Sequence, residues 1–247
     1  MAHQAQVHIL GIRVDNVTYG EALARMEEFI ADGRPHLVAT VNPEFIMTAQ
    51  RDPRFAKILN EAHLTLPDGQ GLIWAARLLG APLRERVTGV DTVLRLAELS
   101  AERGYRLYLL GAAEGVAAAA ARELESRFPG LEIAGTFAGS PALAEDDQAV
   151  ERIRRTRPDV LLVAYGAPHQ EAWIHRNLVH LPVPVCMGVG GAFDFVSGKT
   201  KRAPRWVQRL GLEWLHRLAH EPWRWRRMMT LPRFALLVLR DRSRQHA

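Results

Sequence analysis

The segment LPDGQG (66–71) offers the plainest chemistry in the chain. Pro67 stiffens what precedes it, Asp68 projects a carboxylate, and Gly69 and Gly71 let a backbone or a ligand approach closely. A carboxylate so placed can act as a general base if partial burial tunes its proton affinity. Taken alone, a cap for a helix beginning at residue 70 is the slightly stronger reading of Asp68.

Further glycine-rich and polar groupings recur. Gly111-Ala-Ala-Glu-Gly115 follows an apolar run and would present backbone N–H groups and a positive helix end to a diphosphate. It is neither G-x-G-x-x-G nor a Walker sequence, and a tight strand-to-helix turn explains it as well. In YGAPHQEAW (165–173), His169 reads as a solvated turn histidine. Gln170 is the better ligand contact, because an amide both donates and accepts. In GVGGAFDFVSG (188–198), glycines including Gly190 would admit a ligand to the backbone. Asp194 there would hold a ribose hydroxyl pair, or else cap a neighbouring loop. There is no D-x-D, and no His/Cys/acid grouping has metal-ligand spacing. A diphosphate leaving group would then depend on Arg, Lys or backbone donors.

Positioning these groups requires a scaffold, and the pattern is one of alternating strands and helices. Thr18–Tyr–Gly–Glu21 is a capping box ahead of a helix to about residue 31. Strand 36–41 leads to Asn42-Pro43, an N-cap and first helical residue, and Asp52-Pro53 splits 43–62 into two helical pieces. Strand 63–66, helices 70–79 and 90–103, strand 105–111 and a helix from Gly115 follow. Strand 131–137, helix 144–156, strand 159–166, helix 168–179 and strand 183–191 complete the series. Short, apolar, unalternating strands with helical connectors indicate an α/β fold, doubly wound and Rossmann-like, around a mainly parallel sheet. Ligands of such sheets bind beyond the carboxyl ends of the strands, where Thr40/Asn42, Asp68, Gly111, Gln170 and Gly188–Asp194 all fall.

Charge divides the 247-residue chain. Residues 199–247 carry 13 Lys/Arg against three acids, and residues 1–198 carry 19 against 24, within a net charge of +5. Four of the six tryptophans (Trp206, Trp214, Trp223 and Trp225) lie after 199. The expected division is an α/β catalytic body (1–198) and a basic, helical Trp/Arg-rich appendage (199–247). Trp206, Leu210 and Trp214 recur at helical spacing, and Trp with Arg suits an anionic lipid interface. A nucleic-acid partner is not expected, since no recognised motif accompanies the charge. No window resembles a signal peptide or a spanning helix. The single Cys186, in an apolar run, reads as a small core residue in a reducing compartment.

Taken in order, ATVNPEF (39–45), LPDGQGLIW (66–74), RVTGVD (86–91), YGAPHQEAW (165–173), GVGGAFDFVSGKTKRAPRW (188–206) and GLEWLHRLAHEPWRWRR (211–227) resemble the WecB/TagA/CpsF family of bacterial glycosyltransferases. The resemblance implies transfer of a sugar, N-acetylmannosamine in the type activity, from a UDP-sugar to a polyprenyl-diphosphate-linked saccharide. It implies an inverting reaction at the cytoplasmic face of the membrane, serving wall or surface polysaccharide, with neither metal nor cofactor. Asp68 matches the family's catalytic base. Thr40, Asn42, Arg86 and Gln170 match its other active-site polar positions, and Asp194 a nucleotide contact. Arg217, Arg224 and Arg227 match arginines that stabilise the departing diphosphate. Two rivals stand beside this reading: a nucleotide-cofactor oxidoreductase, which lacks its fingerprint, and a basic adaptor, which leaves the rim clusters without a purpose.

Overall fold

The computed structural model describes residues 5–204, Val207, 213–220, Trp225 and 229–245. Six strands form one parallel sheet: β3 (His36–Val41), β4 (Leu64–Pro67), β5 (Arg106–Gly111), β6 (Glu132–Phe137), β7 (Val160–Ala164) and β8 (Val185–Gly188), in the order β4-β3-β8-β7-β5-β6. The four inner strands are almost wholly buried, so both of their faces are apolar and no alternation shows in the sequence.

Each face carries its own helical layer. Leu37, Ala39 and Val41 of β3 point to one side, with α2 (Pro43–Ala49), α3 (Pro53–Glu61), α4 (Gln70–Leu78), α7 (Asp146–Thr156) and α8 (His169–Asn177). Val38 points to the other, with α1 (Tyr19–Asp32), α5 (Gly89–Arg103), α6 (Val116–Arg127) and α9 (Ala192–Val196). This is the doubly wound arrangement that the alternating pattern predicts. The connections after β3 and β8 leave on opposite faces, as do those after β5 and β7. Crevices therefore open at the carboxyl edge, where such sheets hold ligands.

The helix starts follow their local chemistry. Thr18 and Glu21 form the reciprocal capping box, and Asn42 Oδ1 accepts from the Phe45 amide at 3.0 Å with Pro43 as the first helical residue. Asp52 caps α3 in the same manner. The predicted helix at 144–156 divides into a 3₁₀ turn (Leu143–Glu145) and α7.

One element is absent from the sequence-based reading. β1 (Gln6–Ile9) and β2 (Ile12–Asp15) form an antiparallel hairpin whose Val7, Ile9, Ile12 and Val14 are buried. Leu10 and Gly11, both with positive φ, form the turn, a backbone suited to a two-residue hairpin. Asp15 docks the hairpin on β4, accepting from the Thr65 amide at 2.7 Å and its hydroxyl at 2.9 Å.

After residue 204 the described segments include α10 (Glu213–His220) and α11 (Thr230–Gln245). Phe234 and Val238 of α11 are buried in the same core as α2 and α4, so this part of the basic segment packs directly on the body. No described helix is long and apolar enough to cross a membrane. Cys186 is a buried core residue whose thiol burial pushes up.

Candidate active site

At the carboxyl end of β4, α4 begins at Gln70 with Gly69 in the N-cap position and no side chain capping it. Asp68 is therefore not a helix cap. It turns instead toward the start of α5, where the Gly89 amide donates to its Oδ2 at 3.1 Å. Thr40, from β3, lies beside it: a Cβ added to Gly89 would sit 3.3 Å from Thr40 Cγ2 and 3.7 Å from Asp68 Oδ2. The Thr40 hydroxyl donates to the Gly188 carbonyl at 3.2 Å, tying β3 to β8 across one crevice.

Burial raises the Asp68 carboxyl to about 6, against the lowering effects of the Gly89 amide and the Arg86 charge. Glu213 and Asp91 push it further upward. The result is a carboxylate that is ionised at neutral pH yet holds a proton far better than an ordinary aspartate, the property required of a general base.

Asp68, Asn42 and Arg86 open on one cavity of about 770 Å³, which Thr88, Arg202 and Glu213 also line. A run of alternating charge borders it. Arg202 grips Asp91 with two nitrogens, at 2.5 and 2.9 Å, and reaches Glu213 at 3.0 Å. Glu213 in turn lies 4.0 Å from Arg86. Burial opposes ionisation of Asp91, but the Arg202 fork and the Thr88 hydroxyl overcome it and hold the group at about 2. Tyr19 completes this corner, accepting from the Thr88 amide at 2.9 Å. Asp91, Arg202 and Glu213 escaped the sequence-based reading of the site. They stand in the quoted motifs, but only folding brings residues 91, 202 and 213 together.

The other predicted positions lie elsewhere on the same rim. Gln170 is buried, and its Oε1 accepts from the amides of Gly166 (3.1 Å) and Gly190 (2.9 Å) while its Nε2 donates to Glu171 at 2.6 Å. The side chain thus ties the loops after β7 and β8. Gly111, with φ of 100°, ends β5 so close to β7 that a Cβ would meet the Ala164 carbonyl carbon at 2.8 Å. Packing alone demands glycine there. Asp194 lies in the first turn of α9, partly exposed, 3.6 Å from Lys199. Gly190 adopts a left-handed backbone with open space around it. Arg217 falls on α10, but its side chain lies outside the described residues, as do Arg224, Arg227, Trp206, Leu210 and Trp223 entirely. Among the described residues no group of three or more His, Cys, Asp or Glu side chains gathers to hold a metal.

Comparison with known proteins places the chain among relatives. The chain is 38% identical over 206 residues, 83% of its length and 79% of the relative's, to the N-acetylglucosaminyldiphosphoundecaprenol N-acetyl-beta-D-mannosaminyltransferase of Bacillus subtilis (strain 168). It is 35% identical over 212 residues, 86% of the chain and 82% of the relative, to the protein of the same name from Bacillus spizizenii. To that of Staphylococcus aureus (strain MW2) it is 29% identical over 245 residues, covering 98% and 96%. The model of the glycosyl transferase WecG/TagA/CpsF family matches residues 7–247, and the chain belongs to that family.

Proposed function

We propose that the protein is an inverting glycosyltransferase that moves N-acetylmannosamine from a UDP-sugar to a polyprenyl-diphosphate-linked N-acetylglucosamine. The relatives' names supply the sugar and the acceptor. The observation that carries the reading is Asp68, the buried carboxyl raised to about 6 on the wall of a cavity large enough for a saccharide.

In this reaction Asp68 takes the proton of the acceptor hydroxyl as that oxygen attacks the anomeric carbon. The bond from that carbon to the UDP oxygen breaks on the opposite face, inverting the centre. The proton rests on Asp68 and the new negative charge on the departing diphosphate. Arg86, 4.0 Å from Glu213, is a described cation whose charge acts on Asp68, with Arg217, Arg224 and Arg227 assigned to the departing diphosphate. The uncapped start of α6, at Gly115, and the loops tied by Gln170 are the places offered to the nucleotide, with Asp194 at its ribose. Asn42 lines the wall around the acceptor, and Thr40, buried beside Asp68, supports it from behind.

The chain works at a membrane surface, its basic segment meeting anionic lipid. In support, the cavity is open where its lining residues Trp74, Trp214, Trp225 and Met229 are themselves exposed, at 41–63% of their surface. Such a concentration of exposed apolar side chains suits insertion into an interface. The test is product analysis with UDP-N-acetylmannosamine and a short-chain N-acetylglucosaminyl-diphosphate lipid. A β-linked disaccharide lipid is expected, and its absence across a panel of UDP-sugars would overturn the assignment.

A further inference from the structure

The cavity beside Asp68 combines a charged cluster with a largely apolar remainder, Asn42, Glu44, Gln70 and Thr88 being its other polar lining residues. Asp68, Arg86, Arg202 and Glu213 come from segments that meet near the start of α4. Beyond them two helices supply much of the apolar wall, joined by Trp214 and Leu218 of α10. From α4 the cavity is lined by Gln70, Gly71, Trp74, Ala75 and Leu78, and from α11 by Leu231, Pro232, Phe234, Ala235 and Val238, of which Ala75, Phe234 and Val238 are themselves buried. Within them Gly71, Trp74, Ala75 and Leu78, and Leu231, Phe234, Ala235 and Val238, keep the spacing i, i+3, i+4, i+7 of the stripe that a helix turns to one neighbour. Two apolar stripes thus face a common space; a Cβ on Gly71 would make only an ordinary 3.9 Å contact with the Phe234 ring, and it is Pro43 of α2, at 2.8 Å, that requires glycine there.

The two helices do not seal this space with their own side chains. Trp74 and Leu78 remain 52% and 38% exposed, although they border an apolar groove. From Gly71 to Leu78, α4 rises about 10 Å, so the groove leads away from the catalytic carboxyl for about that distance. An occupant must therefore be long, narrow and apolar, and joined to something polar at the Asp68 end.

The geometry points to a subsite for the first isoprene units of the acceptor, the α4–α11 groove holding hydrocarbon drawn out of the bilayer while the diphosphate stays at the arginine end. This rests on the transferase reading above and adds to it a recognition site for the lipid itself. In consequence α11 does more than touch the membrane: it is half of a substrate wall.

Trp74 and Trp214 line the cavity, so intrinsic fluorescence reports its filling. The full chain, free of detergent, is titrated with inorganic diphosphate, geranyl diphosphate and farnesyl diphosphate. Binding should strengthen by about tenfold or more from the first to the last, since each apolar increment enters a walled site. Ala235→Glu, an exposed helical position that tolerates the change, should remove at least about tenfold of the farnesyl affinity while UDP still binds. Leu78→Asn serves as a second variant on the opposite wall. Equal affinity for the three diphosphates, or a farnesyl preference that survives both variants, would overturn the subsite. The transferase reading fails separately, on absence of UDP binding and of sugar transfer, whatever the prenyl series shows.

Discussion

The amide of Gly89 reaches Asp68 Oδ2 at 3.1 Å, and the lack of a side chain at Gly89 leaves Thr40 and Asp68 in contact with the same patch of backbone. The first turn of α5 thereby holds the candidate base from below while its other face meets the cavity. One N–H is enough to orient the carboxylate and too little to abolish its basicity. Burial still outweighs it and leaves the group at about 6.

That balance fixes the pH dependence of catalysis. With Asp68 as base, kcat/KM should fall about tenfold per unit below pH 6 and level off above it. Asp68→Asn keeps the size and an acceptor oxygen for Gly89 but cannot take a proton. It should fold normally and lose about two to four orders of magnitude in kcat, together with the acid limb. Steady-state rates between pH 4.5 and 8.5 check both statements, and near-normal turnover by the variant would remove Asp68 from the role.

Arg202 and Asp91 join the basic segment to the body. The pair is only 21% and 32% exposed at its side chains, so Arg202→Ala leaves a poorly hydrated carboxylate. A loss of about 1–3 kcal/mol is expected, below that of a fully buried pair. Because Asp91 titrates at about 2 rather than its ordinary 3.8, its contribution to stability is present above pH 3.8 and is lost as pH falls toward 2. Urea melts between pH 2.5 and 6 should show this loss in the wild type and not in Asp91→Asn.

Phe234 gives a separate measure of how α11 belongs to the molecule. It is 4% exposed in the core shared with α2 and α4. Phe234→Ala should cost about 3–5 kcal/mol, a value no loosely appended helix would give. A chain ending near 199 exposes the same apolar face of α2 and α4, so it should bind a hydrophobic dye as well as lose activity. Thermal melts and dye titration distinguish this from an independent tail.

Much of this was legible in order along the chain. Thr18/Glu21, Asn42-Pro43 and Asp52-Pro53 announce helix starts because each start satisfies its own donors within a few residues. Buried strands such as VLLVA (160–164) are legible as apolar runs. Asp68 stood out as a carboxylate between proline and glycine at a strand end, but the sequence alone left it open as a helix cap until the fold turned it toward Gly89. The hairpin at 6–15 did not, since its strands are four residues each and Leu10 adopts positive φ without being glycine. The Asp91–Arg202–Glu213 cluster was hidden because sequence spacing carries no information on charges that meet across 111 residues. Gln170 looked like a ligand amide for its chemistry alone. That its oxygen is already committed to Gly166 and Gly190 is visible only once two loops converge.

The partner of Gln170 supplies a last expectation. Glu171 is buried, accepts the Gln170 amide at 2.6 Å through Oε1, and has no hydrogen-bond partner at Oε2. Burial raises it from 4.5 to about 7, opposed only in part by that amide. A carboxyl whose folded pKa is raised favours the folded state least when ionised. Below 4.5 it is protonated in both states and exacts nothing. Between 4.5 and about 7 the unfolded chain releases the proton and the folded one keeps it, so stability from this group declines as pH rises, by roughly 3 kcal/mol in all. Asp68 adds the same sign between 3.8 and about 6. Glu171→Gln keeps an acceptor for Gln170 and removes the titration. The variant should melt higher than the wild type at pH 8 and nearly equal to it at pH 4.5. A wild type whose melting temperature rises from pH 5 to 8 in parallel with the variant would show that Glu171 is ionised in the fold and that the Gln170 bracket is held by charge instead.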